Sequence, residues 1–432
     1  MMETGGTGST QKKMKMGCST PDIISNLPCN VLEKILVCLT IQDAARTSVL
    51  SRKWRYRWTT LPQLVFNDQF CRGSVVRATT DRLMMTLYKV LLHHQGPLLK
   101  FTLSLAELKS CPEIDQFIYF VSKNGIRVFK LHIWKGVPYK LPSTLFSCLQ
   151  LERLSLHSCV FKPPPGFKGF TRLVSLELSY VLIACDVLSS LISSCLLLER
   201  LKLRSSSTSL NYLGIFAPNL KYLSIEGLFR SICIRVHDDA SVSVALKGSR
   251  NRLGFNEGEI SNSVMLLRSL PVVEFLVLDY SFLQCMAANG VRERLPTTLN
   301  NLFSLQLHNI SFGEPDEVST VLYFIRSSPN LQLLDIRAFH SATAAIDPVV
   351  ELYDLEGWSD VSVNKLYFVW MGEVSGTKVE MEFIRLLLAK SPILKTMHMK
   401  LKSKEVAERL RIVEEFTGFR RASAQAVITF SK

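Results

Sequence analysis

Catalytic and metal-binding sites are built mainly from histidine, cysteine, serine and acidic side chains, so we first consider how these residues are distributed. The eight histidines of this chain of 432 residues are dispersed. His132, His157 and His308 fall within or at the end of predicted strands, where a packed or solvated side chain is the simpler interpretation. No G-x-S-x-G, H-E-x-x-H or phosphate-binding glycine loop is present in the sequence. We therefore predict no catalytic residue and no cofactor-binding residue.

The eleven cysteines lie at irregular positions, without a C-x-x-C pair and without histidines at the spacing of a metal finger. This distribution predicts no metal site and favours reduced thiols in an intracellular protein. Cys29, Cys38, Cys148 and Cys195 stand among apolar residues, which predicts core positions for all four.

Composition and charge narrow the class of protein. Hydrophobic residues make up 47% and charged residues 20% of the sequence, so a large core is available. The chain is too long for one ordinary core unless it is built from repeats, which predicts two or three structural units. The formal net charge of +14 suggests nucleic acid as a partner, but the basic residues are scattered along the chain. Without a basic run or an RNA-binding signature, we do not expect a nucleic-acid partner.

The first residues, 1–21, read as a disordered tail. They contain several glycines and the basic run KKMKM but no apolar centre of the kind found in signal peptides. No later apolar run approaches the length of a membrane span without charges. We expect no membrane partner and a location in the cytoplasm, the nucleus or both.

A short helical module over residues 22–66 would position the first candidate binding surface. Pro28 suits the start of a helix, because proline lacks an amide donor that the first turn does not use. Apolar residues then recur at helical spacing and predict one apolar face: Val31, Leu32, Ile35, Leu36 and Leu39.

Two more helices are predicted within the same module. Thr40, with Asp43 three residues later, forms a capping-box pattern that predicts the start of a second helix. A third helix is predicted from Ser51 to Trp58, before Pro62. Two tryptophans and four basic residues are crowded into this last segment. Because so short a module has more apolar surface than it can bury, we expect it to bind a partner.

A different pattern begins near Leu98, in which two leucine-type residues separated by two positions are followed by a third after one more. Examples are Leu151, Leu154, Leu156 and Leu302, Leu305, Leu307. The pattern recurs in steps of about 22 to 29 residues, the signature of leucine-rich repeats. One step is about twice as long, and the alternation of Val242, Val244 and Leu246 near its middle predicts a degenerate strand. Each repeat would add one short strand to a shared core.

The last section, residues 352–432, predicts a strand at 366–370, a helix at 379–390, a second strand at 394–399, a helix at 403–416 and a short apolar ending. By pattern alone this is a divergent repeat followed by the capping helix that a solenoid needs.

The ordered series of L-P, V-L, I-L, D-A, V-L-S-R-x-W-R and W-x-x-L-P over residues 27–62 resembles the F-box, in the form found in plants. This resemblance implies a module that binds a Skp-family adaptor and thereby joins a cullin ubiquitin ligase. Cys29 and Asn30 stand where the family usually carries an acidic pair. The resemblance places these residues at the adaptor contact: Leu27, Pro28, Val31, Leu32, Ile35, Leu39, Val49 and Trp54. Trp58 and the arginines around it are expected at the junction with the solenoid.

The segment GTKVEMEFIRLLLAKSPILKTM resembles the FBD domain that ends many plant F-box proteins with leucine-rich repeats. The predicted fold is therefore an α/β (α+β) repeat protein with a three-helix F-box at 22–66. An irregular leucine-rich-repeat solenoid follows at 98–350, and an FBD-like cap ends the chain at 352–432.

A second candidate surface follows from the repeat pattern, because residues that alternate with buried leucines must face the other side of the sheet. These residues could simply keep the open face soluble, or they could bind a substrate. The basic residues among them, in the first half of this sheet face, favour an acidic or phosphorylated protein target. The predicted substrate face consists of Lys130, His132, Trp134, Arg153, His157, Arg200, Lys202, Arg204 and Tyr222.

Together these patterns predict a non-catalytic substrate-recognition subunit of an SCF-type ubiquitin ligase, which binds an unidentified target through its repeats. Two other functions stay open at this point. The chain could be a receptor in which a hormone or another small ligand completes the target site. It could also be an interaction scaffold that works outside any ligase.

Overall fold

The computed structural model describes residues 24–72, 80–205, 212–227, 231–236, 241–246, 273–280, 283, 298–339, 363–402 and 405–431. The predicted tail at 1–21, the first two residues of the predicted F-box and the predicted junction near 350–352 lie outside the described residues.

The described α-helices are α1 (Cys29–Val37), α2 (Ile41–Arg46), α3 (Asp68–Arg72), α4 (Thr80–His93), α5 (Glu113–Ser122), α6 (Cys185–Ser194), α7 (Pro315–Arg326), α8 (Lys378–Lys390) and α9 (Val406–Thr417). Short 3-10 helices span Ile24–Asn26, Thr47–Val49, Arg57–Thr60 and Ser143–Ser147.

The strands are β1 (Gln63–Asn67), β2 (Lys100–Ser104), β3 (Val128–His132), β4 (Tyr139–Lys140), β5 (Arg153–His157), β6 (Cys159–Val160), β7 (Ser175–Ser179), β8 (Arg200–Arg204), β9 (Tyr212–Phe216), β10 (Tyr222–Gly227), β11 (Ser231–Arg235), β12 (Ser241–Leu246), β13 (Val273–Asp279), β14 (Ser304–Ile310), β15 (Leu333–Ala338), β16 (Phe368–Val374), β17 (Thr396–Leu401) and β18 (Val427–Ser431).

The strands that carry the repeat pattern form one continuous sheet. Its order is β1-β2-β3-β5-β7-β8-β10-β12-β13-β14-β15-β16-β17-β18, and each neighbouring pair is parallel. Parallel neighbours need a crossover between them, and the described helices and extended segments supply it. The predicted solenoid is thus confirmed, and so is the degenerate strand around Val244, which is β12.

The apolar positions of the repeat pattern lie in register and face the core. Leu154, Leu176 and Leu201 pair across β5, β7 and β8, and each is at most 1% exposed. Full burial of one such side chain stabilises the fold by about 1.5 to 3 kcal/mol. Since every repeat contributes at least two of these residues, the stacked rows hold the neighbouring repeats together.

The sheet begins earlier than the sequence pattern indicated. β1 starts at Gln63 and pairs with β2, so the end of the N-terminal module is already the first strand of the sheet. Leu64 and Phe66 are fully buried in the same hydrophobic cluster as Leu32. The module and the repeats therefore share one core, which the leucine spacing does not show because β1 precedes the first leucine-rich pattern.

The predicted third helix, from Ser51 to Trp58, is replaced by turns that lead into the 3-10 helix at Arg57–Thr60. Hydroxyl groups compete for the backbone here: Thr59 Oγ1 donates to the carbonyl of Tyr56 at 2.7 Å, and Ser48 Oγ donates to that of Arg55 at 2.8 Å. Such local bonds offer the backbone an alternative to a regular helix.

Predicted elements in the last section match the structure closely, with β16, α8, β17, α9 and β18 near their predicted positions. Thr377 caps α8 through a capping box with Glu380. Phe416 of α9 packs near Phe430 of β18, with ring centroids 5.8 Å apart, so the last helix covers the last strand.

The cysteine prediction was correct for two of its four residues. Cys148 and Cys195 are buried, but Cys29 and Cys38 are exposed. Cys29 is the first residue of α1 and Cys38 is its C-cap, so both lie at the ends of a short helix, where the core does not cover them.

Candidate functional site

Two surfaces could bind partners, and the first is the N-terminal module. Thr40 Oγ1 accepts a hydrogen bond from the amide of Asp43 at 3.2 Å and donates to that carboxylate at 2.8 Å, which confirms the predicted cap of α2. α1 buries Leu32 and Leu36, so its opposite side faces outward. Ile35 of α1 thereby stays accessible on the surface.

Six of the eight predicted adaptor-contact residues have accessible surface. Val49 is 87% exposed, and Ile35 and Leu39 are close to 40% exposed. Pro28 is also exposed, whereas Leu27 and Val31 are half-buried. Leu50, which the prediction omitted, is 66% exposed. Exposed aliphatic residues this close in sequence are typical of an interaction site.

Leu32 and Trp54 require a correction. Each is only 3% exposed and packs inside this chain's own core. Their side chains therefore stabilise the module from within, and they are too buried in this structure to contact a partner directly. The resemblance to a motif did not reveal this burial, because it depends on β1 and the later residues that complete the core.

The junction between the module and the sheet is held by specific bonds. Gln63 Nε2 donates to the carbonyl of Val37 at 2.9 Å, and His94 Nε2 lies 2.9 Å from the carbonyl of Leu61. Trp58 is half-buried against the core, 6.3 Å from the ring of His93. Of the arginines around Trp58, which we predicted at this junction, Arg57 is half-buried, whereas Arg52 and Arg55 are exposed.

The second surface is the open face of the sheet, here called the recognition face and defined by the outward residues of β3, β5, β7, β8 and β10. Register places these residues in rows across the strands. The first row is Arg153, Ser175, Arg200, Tyr222. The second is Lys130, Ser155, Glu177, Lys202, Ser224. The third is His132, His157, Ser179, Arg204, Glu226. All predicted substrate-face residues except Trp134 lie in these rows, and Trp134 stands two residues after the end of β3.

A series of hydrogen bonds runs from β2, at the edge of the recognition face, across β3 and β5 to β7. His132 Nδ1 lies 3.2 Å from Ser104 Oγ, and His132 Nε2 lies 2.9 Å from Ser155 Oγ. Ser155 donates its only hydroxyl proton to Glu177 at 3.0 Å. It must therefore accept from Nε2, which leaves Nδ1 as the acceptor for Ser104. Both ring nitrogens are thus engaged in holding the strands' side chains in place.

The surroundings of His132 and His157 keep both imidazoles neutral near pH 7. Burial, helped by Lys130 and His157, lowers the pKa of His132 to about 4. Burial and Arg204 lower the pKa of His157. Burial alone would raise the pKa of Glu177, but the bond from Ser155 and the charge of Lys202 outweigh it and lower that pKa.

The low pKa of His132 predicts that the protein loses stability in mild acid. Its imidazole takes up a proton near pH 6.5 in the unfolded chain but only near pH 4 in the folded one. The unfolded state therefore binds more protons between these values, and the free energy of unfolding falls as the pH drops. After allowance for solvent screening, we expect His132 to account for about 1 to 2 kcal/mol between pH 7 and pH 5.

Urea unfolding at the two pH values measures this effect. His132→Gln should reduce the drop, whereas Leu92→Gln, on the exposed end of α4, should leave it unchanged. An identical drop in wild type and His132→Gln would contradict the assignment.

Ion pairs make the face less basic than its sequence suggested. Lys202 pairs with Glu177 at 3.3 Å, and Arg204 pairs with Glu226 at 2.9 Å. Arg153 and Arg200 form no ion pair with any residue that the structure describes. Lys130, in the second row, likewise forms none, so the cations of the face without an ion pair to a described residue are Lys130 and the two arginines at the start of the strands.

Comparison with known proteins decides the family. The F-box domain model matches residues 24–65. A second model, described as FBD-associated F-box protein At5g56370, LRR repeats, matches residues 115–336. The F-box/FBD/LRR-repeat protein At1g13570 of Arabidopsis thaliana is 37% identical over 415 residues, which cover 95% of this chain and 99% of that protein.

The chain belongs to the F-box/FBD/LRR-repeat family. Two further Arabidopsis thaliana relatives are similar over their whole length. F-box/FBD/LRR-repeat protein At4g26340 is 26% identical, and the match covers 95% of this chain and 100% of that protein. Putative FBD-associated F-box protein At5g56440 is 25% identical with the same coverage. A solved LRR protein of Leptospira interrogans aligns with 87% of this chain and 91% of its own, at 14% identity and a TM-score of 0.33.

Within this F-box protein, some face residues escaped the sequence analysis. Tyr180 follows β7 and contacts the ring of His157, with centroids 5.2 Å apart, but it stands outside the alternation that we followed. Asp335, Arg337 and Trp370 extend the outward rows into β15 and β16. The same alternation, applied beyond β10, would have found them.

Other kinds of site receive no support from the described residues. Within those ranges, histidine, cysteine and acidic side chains nowhere gather in a group of three or more that could hold a metal ion. The helices in the same ranges include none that is both long and apolar enough to cross a membrane.

Proposed function

We propose that this F-box protein is the substrate-recognition subunit of an SCF-type ubiquitin ligase. F-box domains generally bind Skp-family adaptors, and the match to the F-box model over residues 24–65 is the observation that carries the proposal. The exposed side chains of Ile35, Leu39 and Val49 would supply the apolar part of the adaptor contact. Through the adaptor, the chain would join a cullin.

The shared core gives this arrangement a mechanical basis. β1 belongs both to the F-box segment and to the sheet, and the Gln63–Val37 bond fixes α1 to it. A target on the recognition face would therefore be held at a defined distance from the adaptor. Such tethering raises the effective concentration of the target near the transferred ubiquitin. The protein itself would supply binding and orientation, without a catalytic residue.

The proposed target is a protein with an acidic or phosphorylated segment. Arg153 and Arg200 are exposed at the start of their strands, and arginine binds carboxylates and phosphates through paired donors. None of the eight cysteines whose side chains the structure describes forms a disulfide, which fits a reducing compartment, so we propose the cytoplasm, the nucleus or both.

Calorimetric titration of the purified chain with a purified Skp-family adaptor tests the proposal. We expect one-to-one binding with a Kd below about 1 μM, and we expect the cullin to bind only when the adaptor is present. No heat of binding at tens of micromolar protein would contradict the ligase role and favour a scaffold that works outside any ligase.

A further inference from the structure

An aromatic cluster lies where β3, β5 and β7 end on the recognition face. The rings of Trp134 and His157 have centroids 4.2 Å apart, and Tyr180 contacts His157 edge-on at 5.2 Å. Trp134 is 49% exposed and Tyr180 is 43% exposed. Large aromatic side chains gain much binding energy when a partner buries them, and they are enriched among the dominant residues of interfaces.

The backbone conformation of Tyr180 disfavours a bulky side chain, so the turn itself does not explain why a tyrosine stands at this position. Its φ is 55°, in the left-handed region. The equivalent positions after β5 and within β14 and β16 have the same conformation and carry Ser158, Asn309 and Glu373. Asparagine is enriched there, and a bulky side chain is disfavoured. A strained residue in an exposed cluster is the kind of outlier that suggests a binding role.

A cationic pair lies at the other end of the same strands. Arg153 and Arg200 flank Ser175 in the first row. With strands about 4.8 Å apart, the two arginine Cα atoms are about 10 Å apart. The guanidinium of Arg200 lies over the ring of Tyr222 at 5.2 Å, which restricts its motion.

The charges around this pair leave it cationic. Glu152 and Glu199 directly precede the two arginines, but ion pairs with Arg127 and Lys221 offset their charges. The two arginines can therefore attract an anionic side chain. One carboxylate accepting two parallel bonds from a guanidinium fits arginine's planar fork.

The distance between the arginine pair and the aromatic cluster sets the spacing of the two groups that a ligand needs. Arg153 and His157 are four residues apart on β5, about 13 Å along the strand. In an extended peptide, side chains four residues apart point to the same side and span the same distance.

We propose that the recognition face binds an extended segment of the target protein in which a carboxylate side chain and an aromatic side chain stand four residues apart. The carboxylate would lie at Arg153 and Arg200, and the aromatic ring would lie on Trp134, His157 and Tyr180. This proposal rests on the proposed function and specifies the class of substrate.

Fluorescence anisotropy with labelled ten-residue peptides tests the ligand. The probes carry glutamate and phenylalanine four residues apart, in either order, in a background of threonine and alanine. Replacing glutamate by glutamine, replacing phenylalanine by alanine, or shortening the spacing to two should each weaken binding to the full chain about tenfold. Equal binding of all the peptides would overturn the proposal, and tighter binding of a phosphoserine peptide would overturn the choice of a carboxylate.

Variants of the protein locate the site. Arg200→Ala should abolish the preference for glutamate over glutamine. Arg385→Ala, which removes an arginine stacked over Phe419 on the helical side, should leave that preference intact. If the two variants behave alike, the site is wrongly placed.

Tyr180→Asn separates a binding role from a structural one. Asparagine suits the left-handed backbone, so the melting temperature should stay equal or rise. Binding should nevertheless weaken about fivefold to tenfold. Tyr119→Ala, on the exposed side of α5, is the matched control and should bind normally. Unchanged binding by Tyr180→Asn would remove the aromatic cluster from the proposal.

Adaptor binding is measured on the same proteins. Normal adaptor binding without any peptide preference would overturn this inference and leave the ligase role standing. If the wild-type chain does not bind the adaptor, the proposed function is overturned instead.

Discussion

Replacing Ile35 and Val49 together by aspartate is expected to lower the affinity for a Skp-family adaptor by about 100-fold or more. Both side chains are exposed in the free chain, at 39% and 87%, so the substitutions should leave the fold intact. In an adaptor complex the new carboxylates would be buried in an apolar contact without a partner. That desolvation costs several kcal/mol per charge, which accounts for the size of the effect.

Calorimetric titration measures the affinity, and two other variants sharpen the result. Leu92→Asp changes a residue that is 80% exposed on α4, outside the F-box segment, and should bind the adaptor normally. Trp54→Ala should also lose adaptor binding, but by a different route. Its side chain is buried, so truncation should cost about 3 to 5 kcal/mol of folding stability. If the aspartate variant is stable and still binds the adaptor with wild-type affinity, the adaptor surface lies elsewhere.

Replacing Glu380 by alanine is expected to lower the free energy of unfolding by about 3 kcal/mol. Glu380 is completely buried beneath the start of α8. Its Oε2 accepts bonds from the amides of Ser375 and Thr377 at 3.0 and 3.1 Å and from the hydroxyl of Ser375 at 3.1 Å. Without the carboxylate these part-buried donors lose their shared acceptor, and each lost partner costs about 1 kcal/mol.

Urea unfolding of Glu380→Ala and Glu382→Ala measures this difference. Glu382 lies two residues further along the same helix and forms a partly exposed ion pair with Arg385 at 3.0 Å. Its loss should cost about 1 kcal/mol or less. Equal unfolding midpoints for the two variants would show that the buried carboxylate does not hold the C-terminal section together.

The solenoid could be predicted because leucine spacing is a local property, which one sequence shows without knowledge of contacts between distant residues. Rows such as Leu154, Leu176 and Leu201 follow directly from the alternation of buried and outward residues. The outward residues of β3 to β10 were predicted by the same rule. The cap at Thr40 was predicted from the spacing of Thr40 and Asp43. Periodicity and local chemistry therefore account for most of the fold.

Contacts between distant residues account for what was not predicted. Leu32 and Trp54 look like surface residues of a motif, and only β1 and the shared core show that they are buried. The neutralisation of Lys202 by Glu177 depends on the register of two strands that are 25 residues apart in sequence. Tyr180 joins the aromatic cluster through a backbone conformation that no hydrophobic pattern encodes.

The central claim is that one end of this chain binds a ligase adaptor while the face of its sheet binds a target. Purifying three tagged forms from the same cells, with quantification of the adaptor, the cullin and all other bound proteins, tests it most directly. The forms are the wild type, Ile35→Asp with Val49→Asp, and Arg200→Ala with Tyr180→Asn.

The account predicts that the first double variant loses the adaptor and the cullin together but keeps the other partners. The second should keep the adaptor and the cullin and lose those partners. A cullin that stays bound after the adaptor is lost, or an adaptor that is lost from the face variant alone, would contradict it.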